Sequence, residues 1–110
     1  MSAATRSAAG AANSGVAAYF AGGYGPITTV DKFTFSGDSR STLSTGLSNA
    51  VQSAGGAAES GTAAYFAGGT YPDVATVDKF AFSDDGRTTL STGLSSARKY
   101  LAGAANSGVL

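Results

Sequence analysis

The sequence predicts an all-β fold built from two copies of one four-stranded unit, and three observations carry that prediction. The first is an internal repeat. Residues 9–23 (AGAANSGVAAYFAGG) match residues 55–69 (GGAAESGTAAYFAGG) at 12 of 15 positions with an offset of 46. Residues 29–50 (TVDKFTFSGDSRSTLSTGLSNA) match residues 76–97 (TVDKFAFSDDGRTTLSTGLSSA) at 17 of 22 with an offset of 47, so the units differ in length only in the loop between these blocks. A period of this size marks a stacked or radial repeat fold in which no unit buries a core alone. The second observation is a turn signal every 8 to 13 residues along each unit, the spacing of short antiparallel strands. The third is the interruption of every candidate helical window by Gly or β-branched residues.

The first predicted strand, about 6–12 and 51–58, is nearly all Ala, Ser and Gly. Asn13-Ser14-Gly15 and Glu59-Ser60-Gly61 follow as tight hairpin turns, with Gly supplying the positive φ such turns need. The second strand lies in VAAYFAGG (16–23) and TAAYFAGG (62–69). The third, TVDKFTFS (29–36) and TVDKFAFS (76–83), alternates so that Phe33 and Phe35, or Phe80 and Phe82, share one face. These four Phe are expected in the core. Gly37-Asp38-Ser39 and Asp84-Asp85-Gly86 form the next turn, and 40–45 and 87–92 the Ser/Thr-rich fourth strand.

Side-chain size runs from tiny in the first strand to large in the second and third and polar in the fourth. A wedge-shaped sheet has that gradient when its first strand lies near a crowded axis and its last faces solvent, so each unit reads as a propeller blade. Neighbouring blades would cover both faces, burying Tyr19 and Phe20 although they point oppositely. A β-solenoid competes less well, because its usual coils are shorter and more evenly spaced.

The Tyr-x-x-Gly-Gly at Tyr19–Gly23 and Tyr65–Gly69 resembles kelch repeats, as do the aromatic strand after a variable loop (Val30 to Phe35, Val77 to Phe82) and Leu94-Ser-Ser-Ala-Arg98 before a small-residue strand. Kelch repeats usually carry a Trp in the fourth strand; here that stretch is Ser41-Thr42-Leu43 and Thr88-Thr89-Leu90, and the chain has no Trp. The chain is thus similar to a divergent kelch-like propeller, in the flavour of repeats from bacterial and bacteriophage proteins. Galactose-oxidase-like kelch enzymes use Cys, His and a metal, and this chain has neither Cys nor His.

The chemical vocabulary is narrow. Without His or Cys there are no disulfides, thiol nucleophiles, zinc sites built on them or His-based triads. Seven basic and seven acidic residues cancel, so no field steers the chain to nucleic acid or an anionic membrane. No run approaches the roughly 20 apolar residues of a membrane span, and MSAATRSAAG lacks the apolar stretch of a secretory signal. Virion and cytoplasm both fit. No cofactor, metal or catalytic residue is expected. The serines have no base beside them. Asp31-Lys32 and Asp78-Lys79 point to opposite faces of a strand and read as bridges between blades or as solvent-facing groups. Asp38, Asp84 and Asp85 read as turn residues, and Gly22-Gly23 and Gly68-Gly69 as backbone-geometry residues.

The organisation reads as blade-like repeat 1 (1–49), blade-like repeat 2 (50–96) and the start of a third repeat (97–110). Propellers close with typically four to eight blades, and two per chain imply assembly with itself. The kelch resemblance favours six or seven, and only six divides by two, so a trimer with six blades is expected, with the surplus first-strand segment at 97–110 available for strand exchange. A piece of a longer array is the alternative origin, since residues 9–16 recur at 102–109.

Recognition is expected where the two units differ. Tyr24-Gly25-Pro26-Ile27-Thr28 stands opposite Thr70-Tyr71-Pro72-Asp73-Val74-Ala75, and 49–52 opposite 96–99. Loops on a rigid scaffold carry function disproportionately, and aromatics and Arg dominate hot spots. Tyr24, Tyr71, Asp73, Arg98 and Tyr100 are therefore the candidate binding residues. The expected function is a non-enzymatic structural or interaction module whose partner is itself and another protein. The alternative is a lectin-like binder of small glycans, for which Tyr71 with Asp73 suits a pocket but Tyr24 has only Pro26 and Ile27 beside it.

Overall fold

The computed structural model describes residues 8–13, 15–59, 61–70 and 73–99. Within them there is no helix, and eight strands form two separate four-stranded antiparallel sheets. The first sheet is a meander of β1 (Ala9–Asn13), β2 (Ala17–Ala21), β3 (Val30–Thr34) and β4 (Ser39–Thr42). The second repeats it with β5 (Gly55–Glu59), β6 (Ala63–Ala67), β7 (Val77–Ala81) and β8 (Arg87–Thr89). Each tight hairpin closes where Gly was placed for it: Val16 N–H donates to Asn13 O at 2.9 Å with Gly15 at φ 75°, and Thr62 to Glu59 O at 2.9 Å with Gly61 at φ 81°.

The register divides each sheet into two faces, because residues directly opposite in an antiparallel pair point the same way. Tyr19 lies between Ala11 and Lys32, and Ala21 between Ala9 and Val30, on one face of the first sheet. Phe20 pairs with Asp31 and Ala18 with Phe33 on the other. In the second sheet Tyr65 joins Lys79, and Phe66 joins Asp78. The Tyr19 face of the first sheet packs on the Phe66 face of the second. Ala9, Ala17, Tyr19, Ala21 and Val30 meet Ala64, Phe66 and Phe80 there, with Leu47 and Val51 of the connecting segment closing the cluster.

Tiny residues in β1 and β5 have a geometric reason. A Cβ on Gly56 would run into the backbone of Gly10, so β5 approaches β1 more closely than any side chain permits. The double glycine after β2 serves a similar approach. Gly22 and Gly23 have φ of 70° and 143°, Gly23 N–H donates to Val51 O at 2.9 Å, and a Cβ on Gly22 would lie 2.7 Å from that carbonyl.

Two expectations about burial are met only in part within one chain. Tyr19 is 1% exposed, whereas Phe20, pointing the other way, is 38% exposed. Of the four Phe expected in the core, Phe80 is fully buried and Phe82 packs against the cluster, but Phe35 is 46% exposed. The reason is the same for both: among the described residues no second sheet lies against the Phe20 face of the first sheet.

Candidate functional site

The junction between the sheets concentrates the polar chemistry of the chain. Asp85 sits in the β7–β8 turn at φ 58°, a left-handed conformation that Asp tolerates better than most residues. From there its carboxylate crosses to the first sheet, accepting the Tyr19 hydroxyl at 2.7 Å and the Lys32 ammonium at 3.0 Å. Lys32 also lies over the Tyr19 ring, 5.6 Å from its centroid, and the other side of the junction is closed by Phe82 stacked on Tyr19 at 5.3 Å. Burial, and then the hydrogen bond and negative charge of Asp85, push the Tyr19 hydroxyl pKa far above its ordinary value of 10.0. This hydroxyl is a fixed donor, unsuited to act as a base near neutral pH.

A second carboxylate, this one buried, ties the connecting segment to the second sheet nearer the loops. Asp78, 3% exposed, accepts the Ser48 backbone N–H at 2.8 Å, the Ser48 hydroxyl at 2.8 Å and the Thr89 hydroxyl at 2.7 Å. Thr42 donates to Asp31 in the corresponding place of the first sheet, at 2.6 Å. Arg87 Nη1 reaches Gly46 O at 3.0 Å, and Gly61 N–H reaches Asn13 Oδ1 at 2.9 Å. Among the described residues every buried side-chain nitrogen and oxygen has a hydrogen-bond partner, as a buried polar network requires. Of the Asp-Lys pairs in β3 and β7, read as bridges between blades or solvent-facing groups, Lys32 and Asp78 link the two units, whereas Asp31 accepts Thr42 and Lys79 lies over Tyr65, each within its own sheet. Sequence reasoning missed that the turn residue Asp85 is the acceptor. The signal was present: positions 37 and 39 differ from 84 and 86, yet Asp stands at both 38 and 85.

The candidate loop residues gather at the end of the sheets where the connecting segments pair. Ile27 bridges Val51, Gln52 bridges Thr70 and Val74 bridges Arg98. Tyr24, 54% exposed, lines an open depression of about 240 Å³ with Gly25, Pro26 and Gln52. Gln52 Oε1 accepts Gly25 N–H at 3.3 Å, and the Gln52 backbone pairs with Thr70, whose hydroxyl donates to Asp73. Arg98 is exposed, with Nη2 at 3.2 Å from Ser95 Oγ and 3.0 Å from Ser96 Oγ. Tyr71 and Tyr100 lie outside the described residues, as does the third first-strand segment beyond Lys99. Arg98 nevertheless repeats the Val51 geometry, its carbonyl accepting Gly69 N–H at 2.9 Å as Val51 O accepts Gly23 N–H.

Among the described residues no three carboxylates gather as a metal site. The arrangement presents apolar sheet faces, fixed donors and acceptors along their edges, and an open depression beside Tyr24 at the loops. No protein-family model and no curated protein matches the chain.

Proposed function

We propose that this chain is a non-enzymatic structural module, two kelch-like blades of a β-propeller that close into a ring with copies of the same chain and display loops for binding. The observation that carries the reading is a difference between equivalent residues. Phe66 is 3% exposed under the first sheet, whereas its counterpart Phe20 is 38% exposed, with Val16 and Phe35 exposed nearby. A contiguous apolar sheet face in water marks an interaction surface, and the Tyr65 face of a second copy, equivalent to the Tyr19 face that covers Phe66, is its natural cover. Three chains give six blades, the one of the six or seven favoured by the kelch-like resemblance that two-blade chains can supply. Light scattering behind a sizing column tests it: a particle of three 10.7 kDa chains is expected. A folded, monodisperse monomer refutes self-assembly, and a dimer or tetramer changes only the blade number.

The lectin-like alternative rests on the depression beside Tyr24. Its side-chain acceptor, Gln52 Oε1, is already engaged by Gly25, and Lys99 occupies the matching position of the second unit. The side chains of the depression are therefore not repeated from unit to unit in the sequence. Calorimetric titration of mono- and disaccharides into wild type and Tyr24→Ala separates the readings, with no heat expected from either.

A further inference from the structure

The two sheets carry the same side chains on the same faces, yet among the described residues a different face of each has no sheet packed on it. On the second sheet that face holds Tyr65 and Lys79, both half-buried, paired across β6 and β7 with the ammonium 5.8 Å from the ring centroid. This is the arrangement of Lys32 over Tyr19, and among the described residues no carboxylate reaches it. On the first sheet the bare face carries Phe35, 46% exposed, the counterpart of the Phe82 that stacks on Tyr19. Beside it stands Asp38 at φ 50°, in the same turn position and conformation as Asp85. One end of the chain presents an aromatic ring with a cation, and the other presents an aromatic ring with an anion.

We propose that the Asp38 turn of one copy docks on the Tyr65–Lys79 pair of a second copy, reproducing between chains the junction that Asp85 makes with Tyr19 and Lys32 within one. The proposal rests on the self-assembly reading above and specifies its contact. Asp38 accepts the Tyr65 hydroxyl and the Lys79 ammonium, and Phe35 stacks on Tyr65. The rest of the internal seam transfers by the same equivalence. Arg87 donates to Gly46 O, and its counterpart Arg40 meets the carbonyl of Gly93. Gly61 N–H donates to Asn13 Oδ1; its counterpart Gly15 meets Glu59, whose carboxylate is an equally good acceptor. A second copy is the occupant because it supplies the opposite charge, the stacking ring and both further donors at the spacing the chain already uses.

Carbodiimide cross-linking tests the contact directly. The reagent condenses a carboxylate with an amine into an amide, itself taking up the water released, and joins only groups in contact. An equimolar mixture of ¹⁵N-labelled and unlabelled chains, assembled and treated, is digested and read by mass spectrometry. An Asp38–Lys79 amide joining heavy to light peptides is expected, alongside the internal Lys32–Asp85 amide, which serves as the control. Multimers that show the control and lack the Asp38–Lys79 product overturn the docking geometry while leaving self-assembly standing; monomers by light scattering overturn self-assembly itself. Charge reversal gives an independent reading. Asp38→Lys and Lys79→Asp are each expected to raise the dissociation constant about tenfold or more, and the two combined in one chain to restore most of the loss. Unchanged association of both single variants overturns the proposal even where the chemistry yields no product.

Discussion

Replacing Tyr19 with Phe isolates the contribution of one hydroxyl to the junction between the sheets. The ring is retained: it is 1% exposed and stacked on Phe82 at 5.3 Å, and Phe fills that space with the same geometry. What is lost is a 2.7 Å hydrogen bond to the Asp85 carboxylate. Hydrogen bonds to charged groups contribute roughly 1.5 to 3 kcal/mol. The Asp85 side chain is 25% exposed and keeps Lys32, so water replaces part of the lost bond and the low end of that range applies. A loss of about 1.5 kcal/mol is expected. Lys32→Met removes a partly exposed ion pair and is expected to cost less, at most about 1 kcal/mol. Tyr19→Ala removes the ring and is expected to cost most, about 3 to 5 kcal/mol.

Urea unfolding followed by far-ultraviolet circular dichroism, at two protein concentrations, gives the three values. Asp85→Ala with Tyr19→Phe completes a double-mutant cycle whose coupling term measures the bond itself. Tyr19→Phe within about 0.3 kcal/mol of wild type, or a coupling near zero by this cycle, refutes the view that the carboxylate ties the sheets together. Tyr65→Phe is the built-in comparison, expected to be neutral in dilute solution and costly only where copies associate.

Alkaline conditions are expected to destabilise the fold through Tyr19. Its folded pKa is raised above an unfolded value near 10, so its contribution is intact below about pH 10 and declines by about 1.4 kcal/mol per pH unit as pH rises toward the folded value. Tyr19→Phe is expected to remove that share of the decline, and to leave the folded protein's phenolate absorbance at 295 nm unchanged between about pH 9 and 11. Phe80→Ala, at a fully buried position, is expected to cost about 3 to 5 kcal/mol at any protein concentration. Phe35→Ala is expected to alter stability only at concentrations where the chain associates, and thermal melts across a hundredfold dilution compare the two. Gly56→Ala places a methyl group against the Gly10 backbone and is expected to lower the melting temperature by several degrees, about 1 to 3 kcal/mol of overpacking; an unchanged melt shows that the inner strands have room.

The strand order and hairpins were legible because they depend on local signals. Gly15 and Gly61 close the turns, and the period-2 pattern of VDKF places Phe33 and Phe80 opposite Lys32 and Lys79. The fourth strands came out shorter than read, Ser39–Thr42 and Arg87–Thr89, because the Ser-Thr-Gly that follows turns away where Gly46 passes Thr28 and Gly93 passes Ala75 without room for a Cβ. Burial of Phe20 and Phe35 was not legible, since sequence periodicity tells which face a residue joins and not whether a neighbour covers it. The Tyr19–Asp85 bond joins residues 66 apart, beyond any local pattern, and only the recurrence of Asp at 38 and 85 pointed to it. The loop residues are the converse case: their divergence between units marked them, while their geometry depended on the bridges from Ile27 to Val51 and from Val74 to Arg98.

In the proposed assembly, the inequality of the two faces left without a sheet among the described residues decides the type of contact. A two-fold dimer joined through one of these faces alone brings like patches together, Asp38 near its own copy or Lys79 near its own, and leaves Tyr65 without its acceptor. A head-to-tail contact sets unlike faces together and satisfies both. Such a contact has no built-in end: it makes a ring when the rotation per chain divides a full turn, and a filament when it does not. In the proposed ring that rotation is set by the wedge between sheets, narrow where Gly56 meets Gly10 and wide where Phe66 and Phe80 fill the space under Tyr19 and Val30. The near-empty inner strands and the aromatic middle strands are then two parts of one device, the first bringing the sheets together at the axis and the second holding them apart away from it.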